Sequence, residues 1–541
     1  MDVGVCIHEG AADMRSTRGA FSFRQPYSGS SRGGLSGPFS SGRPLARVAL
    51  PWLLVLLASC GSDGPSGPPP AFRSGNLVVS RTVYAGTAST VSVGQTLPGG
   101  GIAIADGTFP NVFRNTIPDP SFGVTSPIFL DQRSPSGALV DTLAIDPASI
   151  TSSFASKAEL GLNVSMDGSA ISFMGYSAPA NQLDVATSNT AAVVDPTNPV
   201  HTVVARAVAL VDLVNGKVAV TSVNAFSGNN GRAAILANGT FYMVGNAGNG
   251  SGDGFLLSAL SDNTGVQSIW AGNPGSGNTT VIGAALGTYG ATVGYQRGFS
   301  LAQLPDPARP GQNYASDKTG KDCNFRGLTV FDNTLYVTKG SGSNGVNSVY
   351  QVGPAGALAN GNSLGTNVAI TILPGFNAIS QKVAESPATF TPTPHPFGIW
   401  FADAGTLFVA DEGDGVRPGG AGKVTLFAGL GQYKLVDGTW TRVATFQAGL
   451  LDQPAYTAGL PWNIKADGLR NIAGKANGVG SFTIYATTST VSDDTAHDAG
   501  ADPNQLVAIT IGVSSTPANT SFKVLQTAQS GERFGGVALV P

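Results

Sequence analysis

"RFGGVALVP" (Arg533–Pro541) is a short apolar strand at the very end of the chain, and "GNLVVSRTVYAG" (Gly75–Gly86) is another near its start. An unpaired strand edge is a template for aggregation, so a terminal strand such as Val537-Ala538-Leu539-Val540 needs a partner. The two stretches complement one another. The first reads as the opening strand of a hairpin whose second strand is missing, and the second as a closing strand whose first is missing. Joined, they make one hairpin from the two ends of the chain.

The same hairpin recurs inside the chain. It is found as "ELGLNVSMDGSAISFMGY" (Glu159–Tyr176), "GRAAILANGTFYMVGN" (Gly231–Asn246) and "FRGLTVFDNTLYVTKG" (Phe325–Gly340). Two more copies are "PFGIWFADAGTLFVADEG" (Pro396–Gly413) and "LRNIAGKANGVGSFTIYATT" (Leu469–Thr488). Each copy is an apolar strand, a tight turn of Asp, Asn or Gly, and a second strand rich in β-branched and aromatic residues. Asn and Gly supply the positive φ that such turns need. A further strand pair often follows, as in "SVYQVG" then "VAITIL", or "QLVAITIG" then "SFKVLQTA". Four antiparallel strands repeated radially make a β-propeller blade. Five internal hairpins and the composite one predict six blades over residues 72–541, closed by pairing of the N- and C-terminal strands. Stretching "TTVIGAALGTYGATVGYQ" (Thr279–Gln296) into a further blade gives seven. An open β-solenoid or a pair of β-sandwiches is the competing architecture.

Upstream of the repeat, "RVALPWLLVLLASC" (Arg47–Cys60) has a basic flank, about ten apolar residues and a small-residue end. The apolar run is short for a membrane span and suits a signal peptide. Leu57-Ala58-Ser59-Cys60 resembles the bacterial lipobox, which implies removal of residues 1–59 and lipidation of Cys60. The lead-in before the apolar run is long, and initiation at Met14 or later would shorten it. Residues 60–71, rich in Gly, Pro and Ser, read as a flexible tether. The expected location is outside the cytoplasm, anchored to a bacterial membrane by lipid.

Without the six arginines and three acids of residues 1–59, the totals of 30 basic and 33 acidic residues become 24 against 30, a net of −6. No basic stripe invites nucleic acid. Charged residues are 12 % of the chain, against about 25 % in an average protein, which suits a turn-rich secreted β protein. Cys6 lies in the removed part and Cys60 is the lipid site, which leaves Cys323 without a disulfide partner.

Two groups of side chains map to the face where loops enter the first strand of each blade and join strands two and three. One is acidic. Asp411, Glu412 and Asp414 follow a strand in one blade, and Asp493, Asp494 and Asp498 occupy the matching loop of the next. Hard oxygen ligands on adjacent loops suit calcium, and solvated turns are the alternative. The other group is basic. Arg232, Arg326, Arg470 and Arg533 stand at or just before the first strand of four units, with His395 upstream in a fifth and Lys157 in the sixth. Such cations could ring the channel mouth and grip a carboxylate or phosphate, or pair with nearby acids (Glu159, Asp322, Asp467, Glu532). No G-x-S-x-G, H-E-x-x-H, P-loop or CxxC pattern is present, and only His201, His395 and His497 remain after processing. The loop "GTFPNVFRNTIPDPSFG" (Gly107–Gly123) is aromatic and long enough to cover a pocket.

"LFVADEGDG" (Leu407–Gly415) resembles the strand-turn element of NHL-type and gluconolactonase-like six-bladed propellers, and "LYVTKGSGSN" (Leu335–Asn344) is a looser copy. The blade hairpins also resemble those of secreted bacterial propeller proteins. The resemblance implies either a binding module or a lactone hydrolase with a central divalent metal. The Glu/Asn/Asp metal ligands of the lactonase type have no counterpart placed in this chain. The leading expectation is a surface-anchored module that binds an envelope protein, a glycan or a small anionic ligand. The alternative is a metal-dependent hydrolase of a lactone, ester or sugar derivative at the channel mouth.

Overall fold

The structure is a computed structural model. It describes residues 71–117, 122–156, 158–191, 194, 198, 200–246, 265–272, 277–282, 324–340, 346–366, 368–379, 381, 392–415 and 426–541. The expected signal segment, Cys60, Lys157, Asp322, Cys323 and residues 283–296 lie outside that set.

Six four-stranded antiparallel sheets form a six-bladed propeller. Blade 1 runs, from the axis outward, Glu532–Leu539, Leu77–Val83, Ile128–Arg133 and Leu139–Ala144. Blades 2 to 6 begin with the inner strands Asn163–Val164, Gly231–Ala237, Phe325–Phe331, Pro396–Asp403 and Ile464–Gly478. Each inner strand then hairpins outward. Thr280–Ile282, at the start of the segment that could have made a seventh blade, is the outer strand of blade 3.

The termini meet as their sequences require. Leu77 pairs with Leu539, Val79 with Val537 and Thr82 with Arg533. Gly75 and Asn76 exchange backbone hydrogen bonds of 2.9 Å with Val540. A bulge between Val79 and Arg81 accompanies Ser80, whose hydroxyl donates to the Leu160 carbonyl (2.8 Å) and accepts from the Gly536 N–H (2.7 Å). Ser80 therefore ties both termini to blade 2.

The hairpin turns follow the expected chemistry. Asn238-Gly239 and Asp332-Asn333 have positive φ at both positions and close two-residue loops between Ala237 and Thr240 and between Phe331 and Thr334. The core lies between blades. Val78, Ile128, Leu160, Phe173 and Ala538 pack in the seam between blades 1 and 2, and Phe408, Leu430, Leu469, Ile484 and Phe522 between blades 5 and 6.

Near the axis the seams are too close for side chains. A Cβ on Gly327 would lie 2.1 Å from the Phe397 carbonyl, and one on Gly398 would lie 2.6 Å from that of Arg470. Gly536 comes equally close to the Leu162 N–H, at 2.4 Å. These glycines let neighbouring inner strands touch by backbone. They form a waist, with the strand starts on one side and the hairpin turns on the other.

The described residues of the aromatic loop pack into a core of their own. Tyr84, Phe109, Phe113, Phe122 and Phe154 stack edge-to-face into a small core with Val91, Leu97 and Val112. The strand pair Val124–Ser126 and Ser152–Phe154 supports it.

Candidate functional site: a buried arginine cluster at the strand starts

Arg232, Arg326, Arg470 and Arg533 lie on the inner strands of blades 3, 4, 6 and 1, all buried. The radial repeat aims them at the same end of the axis. They are close enough to feel one another: Arg326 lowers the pKa of Arg232, and Arg470 lowers those of Arg326 and Arg533. Burial acts in the same direction and more strongly. It pushes Arg533 down to about 9 and Arg232 well below the usual range. The expected ring at an open mouth is thus a buried cluster.

Two carboxylates stand among the arginines. Glu412 accepts from Arg470 Nε at 3.2 Å and lies 3.7 Å from Arg326 Nη2. Burial works to raise its pKa, but Arg326 and Arg470 hold it below the normal range. Glu412, expected to be a calcium ligand, is a counter-ion to the arginines. Glu159 is the second carboxylate. It accepts from the Ser153 N–H (2.9 Å), from Asn230 Nδ2 (2.7 Å) and from the Tyr176 hydroxyl. Burial raises its pKa. Its charge reaches Arg232 and Arg533 through space, with no ion pair to either among the described residues.

Arg232 has the most unsatisfied side-chain nitrogens of this cluster. It is 5 % exposed, yet its Nε and Nη1 have no hydrogen-bond partner. Arg326 Nε and Arg470 Nη1 are also unsatisfied, while Arg533 donates to the Ser156 carbonyl. A buried, unpaired guanidinium is costly, and it does not give up its proton in a protein.

The remaining expected residues are engaged elsewhere. His395 joins this face through its backbone: its N–H donates to Asp411 (2.6 Å) and its carbonyl accepts from the Glu412 N–H (3.1 Å). Asp411 also accepts from the Gly413 N–H at 3.0 Å. Asp414 lies near Asp467, and Asp467 accepts from the Gly415 N–H at 2.8 Å. Burial, with Asp414 and Glu412 nearby, pushes Asp467 up to about 7.

The acids of the next blade hold a loop and the aromatic core above it. Asp493 accepts twice from Asn463 (2.9 and 2.8 Å). Asp494 pairs with Arg114 at 2.9 Å, and Asp498 accepts from the Gly500 N–H at 2.8 Å. His497 is buried against Asp502 (2.9 Å), which also takes the Trp462 indole N–H (2.9 Å). Among the described residues, no three His, Cys, Asp or Glu side chains are grouped to hold a metal. Of the acids proposed as arginine partners, Glu532 pairs with Arg81 (2.8 Å) instead of Arg533.

Tyr176 and Asn230 were not expected as parts of this site, and Glu159 was expected only as a possible arginine partner. A signal for Glu159 was present. "ELG" (Glu159–Gly161) stands in its blade where "RFG" (Arg533–Gly535) stands in blade 1. Glu159 is the described blade 2 member of the cluster, and Lys157 lies outside the described residues.

No protein-family model matches the sequence, and no curated protein matches it. Among solved structures it is similar to the N-terminal domain of Nup159, with 9 % identity and a TM-score of 0.29 over 87 % of this chain and 98 % of that one. A putative 6-phosphogluconolactonase from Bacteroides fragilis gives 8 % identity and 0.32 over 86 % and 99 %. The endosialidase of phage phi92 gives 10 % and 0.23 over 83 % and 59 %. Likeness at this level carries no argument about activity.

Proposed function

We propose that the chain is a binding module of the bacterial cell envelope, anchored through Cys60, whose ligand is a small oxyanion, a carboxylate, phosphate or sulfate group, taken up by the axial arginines. The observation that carries the reading is Arg232, a buried guanidinium with two N–H groups unpaired beside a second cation, Arg326. An oxyanion offers it charge and two-point acceptance at once. Glu412 pairs with Arg326 and Arg470 and reaches Arg232 only through space, which leaves the N–H groups of Arg232 for a ligand. The lipid anchor and the envelope location rest on the Cys60 motif.

Thermal unfolding in sulfate or phosphate, against chloride at equal ionic strength, tests the proposal. Binding to the folded state alone stabilises it by mass action, by about 2.7 kcal/mol at one hundred times the dissociation constant, and so raises the melting temperature. Wild type should show a saturable rise. Arg232→Gln should melt higher than wild type in chloride, because an unpaired buried charge is gone, and should lose the rise. An equal sulfate response in both proteins would refute the site.

A further inference from the structure

On the other side of the glycine waist the axis opens into a cavity of 570 Å³, lined by all six inner strands. It lies at the hairpin-turn end, where Leu539 and Pro541 also stand. Ile235 in its wall is three residues beyond Arg232 on the same strand, about 10 Å at strand rise. No arginine of the cluster lines it, so it is a separate site and does not depend on the anion reading.

The wall has three properties. First, it is nearly free of charge. Among the described lining residues its charges are those of Asp332, an exposed turn residue, and of the α-carboxylate on exposed Pro541, with no cation beside them. An ionic ligand would therefore be desolvated without compensation. Second, hydrogen-bonding groups are present. Each inner strand has a ladder partner on one side only, and Thr329, Asn333 and the Oδ1 of Asn163, whose Nδ2 donates to the Ala234 carbonyl (3.1 Å), add hydroxyl and amide groups. Third, there is aromatic surface. Phe331 and Trp400 line the cavity, and the Trp400 indole lies so close over Gly474 that a Cβ there would meet three ring carbons at 2.2–2.4 Å. The indole is thus fixed in place. Rigid aromatic surface together with amides, hydroxyls and backbone edges, and without counter-charge, suits a molecule that carries apolar C–H faces and many hydroxyls. The volume is in the range of preformed ligand sites, about 300–1,000 Å³. We infer that this cavity is a second binding site and that its ligand is a short neutral oligosaccharide.

Saturation-transfer NMR and calorimetry with maltotriose, cellotriose and N,N′,N″-triacetylchitotriose test the inference. At least one should bind wild type with a dissociation constant of about 1 mM or tighter. Thr329→Trp and Asn163→Trp each place an indole into the cavity from a half-buried position, and each should weaken that binding by about tenfold or more. Melting curves identify a variant that fails to fold, and the other then carries the test. Undiminished binding by the filled variants would overturn the location. No binding of any of the three sugars would overturn the ligand class, as would binding of the apolar probe N-phenyl-1-naphthylamine in their place.

Discussion

Single residues on the strand-start face are set by what surrounds them more than by their type. Arg326 and Arg470 share Glu412, while Arg232, in the same position of another blade, has no such partner. The arginines were legible in the sequence because each stands at a strand start that the repeat locates. Their partner was not, because an acid after a strand suits a metal, a turn or an ion pair equally, and only ring closure brings Glu412 between two blades. Asp467 shows the same dependence on surroundings. The fold holds it at about 7, above the ordinary aspartate value of 3.8, because of burial and then the nearby Asp414 and Glu412. The unfolded chain releases this proton first as pH rises, so Asp467 lowers stability progressively between about pH 4 and pH 7 and fully above that. Asp467→Asn removes the penalty. Its melting temperature should exceed that of wild type by several degrees at pH 8 and by little at pH 4. A gain independent of pH, or a loss at pH 8, would contradict the titration.

Among the elements, the strand Glu532–Leu539 has the clearest consequence. It is the inner strand of blade 1 and is supplied from the far end of the chain. The apolar run after a double glycine made it readable in the sequence, because a complementary half-hairpin existed at the other end. Turns were readable for the same local reason. The waist was not, since a glycine after Arg326 or Phe397 is explained only by the neighbouring strand it touches. Deleting Phe534–Pro541 removes the buried side chains of Phe534, Val537, Ala538 and Val540 and exposes the Leu77–Val83 edge. Each large apolar side chain is worth about 1.5–3 kcal/mol. The truncated protein should aggregate or melt far below wild type in scanning calorimetry. Unchanged unfolding would contradict closure of the ring by the two termini.

Across the whole molecule, six repeats place two unlike sites on one axis, one cationic at the strand starts and one uncharged at the hairpin turns. The repeat, its count and its closure were legible because they are periodic in the sequence. The sites were legible only in part. They depend on side chains from several blades, and a residue's neighbour across a seam is far away in sequence, 58 positions for Glu412 and Arg470 and 77 for Glu412 and Ser489. The central claim is that the arginine cluster holds an oxyanion at Arg232. Anomalous diffraction from a crystal soaked in selenate tests it most directly. The account predicts a selenium peak among Arg232, Arg326, Arg470 and Arg533, with selenate oxygens about 3 Å from Arg232 Nε and Nη1. A cluster without selenate, in which Arg232 donates those N–H groups to a carbonyl or carboxylate of the protein, would contradict it.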